Sequence, residues 1–198
     1  RTNSVSSDHL LLSEIRNEYS QERIVQVDSK QKKQWLTDFS PEKIAETFTS
    51  KDAYLFEHLN VSDCLGSIWG KRFKKSEQFF STVTPTIDHF NFVCHLVISS
   101  TMGSNLSPHS KKQHSISINI EHWIKVCREL RELKNFSSLK SVISALSSHE
   151  IYHLQKEWDK VSKNLIEEYE NYTQLVSNDS NFNLMRETLK NEGSARYM

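Results

Sequence analysis

The chain has 198 residues, with 25 Lys and Arg against 25 Asp and Glu and so no formal net charge at pH 7. That length is enough for one globular domain with its own core, and the balanced charge lacks the footprint of a nucleic-acid binder. No apolar run approaches the ~20 residues of a spanning helix, so no direct membrane insertion is expected.

Only four glycines and three prolines punctuate the sequence, and the apolar positions recur at three and four residues, so the expected fold class is all-α. Residues 1–37 are polar apart from Leu10, Leu11, Leu12 and Ile15. They read as an N-terminal extension or linker ahead of a domain over 38–198. Ser40 before Pro41 predicts a helix start, since a hydroxyl caps and proline suits the first helical position. Thr49 with Asp52 repeats a capping signature, so two short helices are expected within 40–60.

After Pro85, the run Ile87, Phe90, Val93, Cys94 and Val97 predicts an amphipathic helix, and the polar stretch 100–112 a loop. Ile116, Ile118 and Ile120 alternate like a strand. Over a longer window, however, Ile116, Ile120, Trp123, Ile124, Cys127, Leu130 and Leu133 hold a helical period, and length decides for helix. Leu139, Val142, Ile143 and Leu146 predict another. Leu154, Trp158, Val161, Leu165, Tyr169, Tyr172 and Leu175 then run at spacings of three and four as a core-facing helix.

Cys64, Cys94 and Cys127 are odd in number and form no C-x-x-C, which fits reduced thiols in a cytoplasmic protein better than a disulfide framework. His149, Glu150 and His153 spell H-E-x-x-H, the helical spacing that offers zinc two ligands and a general base. A zinc hydrolase also needs a third ligand, and no H-x-x-G-x-x-H extension follows. Ser147 and Ser148 interrupt the helix just before the first histidine. His109, His114, His122 and Cys127 match no ligand spacing. Phosphate-cradling glycine loops and a nucleophile elbow are also missing from the sequence, so neither a metal nor a cofactor is expected, and no residue is expected to do covalent catalysis.

Reading outward from His149, the run Leu133, Asn135, Phe136, Ser138, Leu139, then Ser144-Ala145-Leu146, Ile151, Leu154 and Trp158 resembles a block of the Ras-type guanine-nucleotide exchange-factor catalytic domain. Phe48-Thr49, Asp52, Leu55-Phe56 and Cys64-Leu65-Gly66-Ser67-Ile68-Trp69 are similar to its early block. Phe90-Asn91 and His122-Trp123-Ile124 are similar to its middle helices. The Cys64–Trp69 run, Lys74-Lys75 and Arg186-Glu187 through Gly193 look most like the Ral guanine-nucleotide dissociation stimulator branch. In this pattern the position of His153 usually holds arginine, which makes the H-E-x-x-H a by-product.

The resemblance implies an all-helical bowl that binds a Ras-family small GTPase, Ral or Ras, and promotes GDP release, with recruitment to membranes through that partner. It assigns Asn135, Ser138, Asn181 and Phe182 to GTPase binding, and Phe136, Leu139, Leu146, Ile151, Leu154 and Trp158 to the core of the motif. Tyrosine is common where this chain has Phe182. Thr84, His153 and Gln155 also depart from the family pattern, and the segment bearing the family's helical hairpin would lie past Met198. Three readings follow: an exchange factor represented by part of its domain, a catalytically inactive GTPase-binding scaffold, and, remotely, a zinc hydrolase.

Overall fold

A computed structural model describes residues 38–65, 81–102 and 115–193, all of them within one compact unit. Among these residues there are helices and turns and no strand. The expectations for residues 1–37, for Gly66 to Phe80 and for His109 and His114 lie outside the described residues.

Helix α1 spans Pro41–Glu57, with Ser40 as its N-cap and Pro41 in the first turn. The sequence suggests two short helices here, but one continuous helix forms. Thr49 and Asp52 do not cap a second start; they are buried mid-helix, where partners on another helix satisfy them. With no glycine or proline to break the backbone, tertiary partners override the local signature.

A 3-10 turn, Val61–Cys64, follows. Asp63 is buried and accepts both the backbone N–H and the hydroxyl of Thr82, at 2.8 and 2.7 Å. That pair fixes the approach to α2, Thr84–Met102, which runs three residues into the stretch read as a loop.

Helix α3, Ile116–Glu132, is the centre of the unit and packs against α1, α2, α4 (Phe136–Leu146), α6 (Gln155–Trp158) and α7 (Lys163–Leu175). Its Ile120, Trp123, Ile124, Val126, Cys127 and Leu130 are fully buried. Trp123 stacks on Phe48 of α1, with ring centroids 6.4 Å apart, and its indole N–H donates to Ser100 Oγ at 3.1 Å. A buried indole is thus supplied with the partner it needs. Asn119 donates to the carbonyls of Ser100 and Thr101, satisfying groups left open at the C-terminal end of α2.

The long period from Leu154 to Leu175 is not one helix. Beyond the short α5 (His149–Tyr152) it divides into α6 and α7, with a turn at Asp159–Ser162 in which Ser162 N–H donates to Glu121 Oε1 at 3.0 Å. The apolar spacing survives the break because the turn still directs Val161 and Leu165 inward, and both are buried. Helix α8, Asn183–Glu192, lies against α7 and closes the described chain.

Candidate functional site

Asn135 is the N-cap of α4, its Oδ1 accepting the N–H of Ser138 at 3.0 Å. Its Nδ2 reaches back to α1, donating to Asp52 Oδ2 at 2.8 Å and to Thr49 Oγ1 at 3.2 Å. Ser138 Oγ–H donates to the same Asp52 oxygen at 2.5 Å. His89 of α2 brings its Nε2 to 3.7 Å from Asp52 Oδ1, and its ring lies between Phe48 and Phe92. Three helices therefore converge on one carboxyl group. Burial pushes the His89 imidazole below its ordinary pKa; the charge of Asp52 opposes that shift and Lys51 reinforces it.

The expectation for Asn135 and Ser138 is a direct contact with a partner. The structure places both side chains inside, 3% and 1% exposed, with their polar atoms bonded to Asp52, Thr49 and the backbone of α4. An open polar group there would cost about 1–3 kcal/mol, so the cluster holds the start of α4 against α1. Asn181 and Phe182 sit elsewhere, together on the turn between α7 and α8. Asn181 is exposed and Phe182 half-buried. Ser180, Asn181 and Phe182 all have positive φ, at 49°, 58° and 58°. This conformation costs about 1–2 kcal/mol per residue for side chains other than glycine, and Asn tolerates it best.

Lys140, one turn beyond Phe136 on α4, reaches this turn. Its Nζ donates to the carbonyl of Val176 at 2.8 Å and to Asn178 Oδ1 at 3.1 Å, and stands 5.7 Å from the centroid of the Phe182 ring. At the far end of α8, Arg131 of α3 makes a bidentate pair with Glu192, at 2.9 and 2.6 Å, and Lys134 Nζ donates to the Glu192 carbonyl.

Of the residues assigned to the motif core, Phe136, Leu139, Leu146 and Ile151 are buried, while Leu154 and Trp158 are half-buried against that core. Trp158 donates its indole N–H to the Ile151 carbonyl at 3.0 Å and tilts onto Tyr169 with ring centroids 5.0 Å apart. Between α6 and α7 this pair lines an open cleft of about 390 Å³.

The H-E-x-x-H residues are exposed on α5 and its cap, with the rings of His149 and His153 4.2 Å apart. Among the described residues, no group of three His, Cys, Asp or Glu side chains is placed to hold a metal. Cys127 is fully buried, which pushes its thiol far up and keeps it protonated.

Asp52 and His89, members of the polar centre, and Lys140, the reaching cation, are not among the site residues that the sequence patterns point to. For Asp52 a signal exists: it shares a face with Ala45, Phe48 and Leu55, so an acid interrupts an apolar stripe. Lys140 carries no such mark, because a lysine on a helix surface is ordinary.

Comparison with known proteins gives this geometry its setting. A family model described as the RasGEF domain matches residues 43–197. The chain is 37% identical over 163 residues to mouse Ral guanine nucleotide dissociation stimulator-like 1, covering 82% of this chain and 21% of that protein. It is 40% identical over 134 residues to human Ral-GDS-related protein, covering 67% and 28%, and 33% identical over 163 residues to dog Ral guanine nucleotide dissociation stimulator-like 2, covering 78% and 21%. The chain thus spans between a fifth and three tenths of these relatives' length. The match runs from the first turn of α1 past the end of α8 and takes in both the Asp52 cluster and the Asn181–Phe182 turn, so the chain belongs to the RasGEF domain family.

Proposed function

We propose that this chain promotes GDP release from a Ras-family small GTPase, Ral before Ras, by binding the nucleotide-free form more tightly than the loaded one. The observation that carries the reading is the family match over 43–197 together with relatives whose names specify Ral guanine nucleotide dissociation stimulation. The physical task is large: displacing a nucleotide held at nanomolar affinity opposes about 12 kcal/mol. A partner meets it only through differential affinity for the two states, which calls for a wide surface and no general base.

In this reading Asn181 and Phe182 touch the GTPase directly. Asn135 and Ser138 act from beneath by fixing the N-terminal end of α4 through Asp52. The buried hydrogen bonds of that cluster support the division of labour, as does the exposure of Asn181. The domain works in the cytoplasm and meets membranes through its lipid-linked partner, which fractionation with and without that partner would test.

The experiment is release of fluorescent GDP from Ral and from Ras with excess unlabelled nucleotide. Acceleration that rises with protein concentration, larger for Ral, is the expected result. Binding without acceleration would favour the scaffold reading, and neither binding nor acceleration would remove both.

A further inference from the structure

We propose that Lys140 is a positioning residue for the partner-facing turn: its ammonium pins residues 176–182 from α4 and thereby sets how Asn181 and Phe182 are presented. This rests on the exchange-domain reading and deepens it.

The turn has little else to hold it. Val176 is its last buried apolar residue, and from Ser177 to Asn181 no side chain is buried. Between the end of α7 and α4 lies an open cleft of about 330 Å³ lined by Lys140, Ser144, Thr173 and Asn178 among others, so apolar packing does not fix the segment. Among the described residues the other hydrogen bonds of 177–182 are local: Ser177 N–H to Gln174, Ser177 with Asp179, Asn183 N–H to Asp179, and Arg186 N–H to Phe182. Only Lys140 brings a bond from α4.

The placement of its charge is apt as well. The Val176 carbonyl is one of those left open at the C-terminus of α7, where the helix dipole is negative and a cation is favoured. The same ammonium holds Asn178 Oδ1 and sits over the Phe182 ring. One cation thereby ties both ends of a segment whose last three residues adopt a left-handed conformation that seldom persists unsupported. Because Lys140 lies in the same helix as Asn135 and Ser138, the inner cluster and the outer turn share one rigid element.

The test uses the full chain with Lys140→Met, which keeps the stem and removes the charge, and Lys140→Arg, which keeps the charge. Amide hydrogen exchange reads the turn, and binding of nucleotide-free Ral and Ras reads the presentation. In K140M, exchange at residues 177–183 is expected to rise about tenfold with the amides of α3 and α4 unchanged. GTPase binding is expected to weaken about tenfold, K140R to keep both properties, and K140M combined with Asn181→Ala to lose less than the sum of the two single losses. Unchanged exchange in K140M overturns the proposal. So does a loosened turn with unchanged binding, and so does additivity with N181A. If the unsubstituted chain binds neither GTPase, the exchange-domain reading fails and with it the presentation role, while the exchange data still judge the pinning by itself.

Discussion

The side-chain amide of Asn135 donates to the Asp52 carboxyl at 2.8 Å across 83 residues of sequence, joining the N-cap of α4 to the middle of α1. Ser138 donates to the same oxygen, so one buried acid accepts from two residues of the N-F-S-S-L run. Neighbouring Phe136 and Leu139 are buried on the same helix. A stretch that reads as a binding motif is thus also a fastening between helices.

Asn135→Ala should therefore destabilise the unit. Loss of the cap is worth about 1 kcal/mol, and leaving Asp52 short of a donor about 1–3 kcal/mol more. Urea denaturation should show a total of about 2–4 kcal/mol with unchanged slope. Ser138→Ala should cost less, since Asn135 still serves Asp52. A loss below about 0.5 kcal/mol for N135A, typical of a surface change, would show that the amide is not committed inside.

Stability should fall on the acid side of neutrality. Burial lowers the pKa of His89, against the pull of Asp52, and also that of His122, against the pull of Glu42 and with the push of Lys125. Both imidazoles are held neutral in the fold, so the unfolded chain takes up protons first. Stability is full above the unfolded value of about 6.5 and declines as pH drops from there toward the lowered folded values. Melting temperatures measured across that window should decline, and His89→Phe should flatten part of the decline. A melting temperature that rises with acidification there would contradict the assignment.

Metal should be irrelevant to the fold. His149 and His153 are neighbours, but a zinc site needs three or four protein ligands. The purified chain should carry no stoichiometric zinc, and a chelator should leave its melting temperature unchanged. Replacing both histidines with alanine should leave GTPase binding as it was; a joint loss of metal and binding would revive the hydrolase motif.

At the outer turn, Phe182 supplies stacking area without a hydroxyl. Phe182→Tyr should tighten nucleotide-free GTPase binding by the value of one hydrogen bond, about 1 kcal/mol or about fivefold. Phe182→Ala should weaken it. Equal binding by all three forms would remove position 182 from the interface.

The helical class was legible because apolar residues at three and four spacing dominate from Ile116 to Leu146, and those positions became α3 and α4. Errors arose where tertiary bonds outweigh local signals. Thr49 and Asp52 look like a cap in sequence, yet Asn135 and Ser138 supply their partners from far along the chain. The break after Trp158 was hidden because the apolar period continues through it, and the bond from Ser162 to Glu121 that helps hold the turn spans 41 residues of sequence. For the candidate site, motif order points to Asn135, Ser138, Asn181 and Phe182, but no sequence pattern separates side chains bonded inward, as those of Asn135 and Ser138 are, from one exposed like Asn181.

The most direct test of the central claim is the affinity of this chain for nucleotide-free Ral set against its affinity for GDP-loaded Ral, measured in one buffer. Tighter binding to the empty form by at least about 100-fold is expected, since only that difference can drive release. Equal affinity for the two forms would contradict it, however tight the binding.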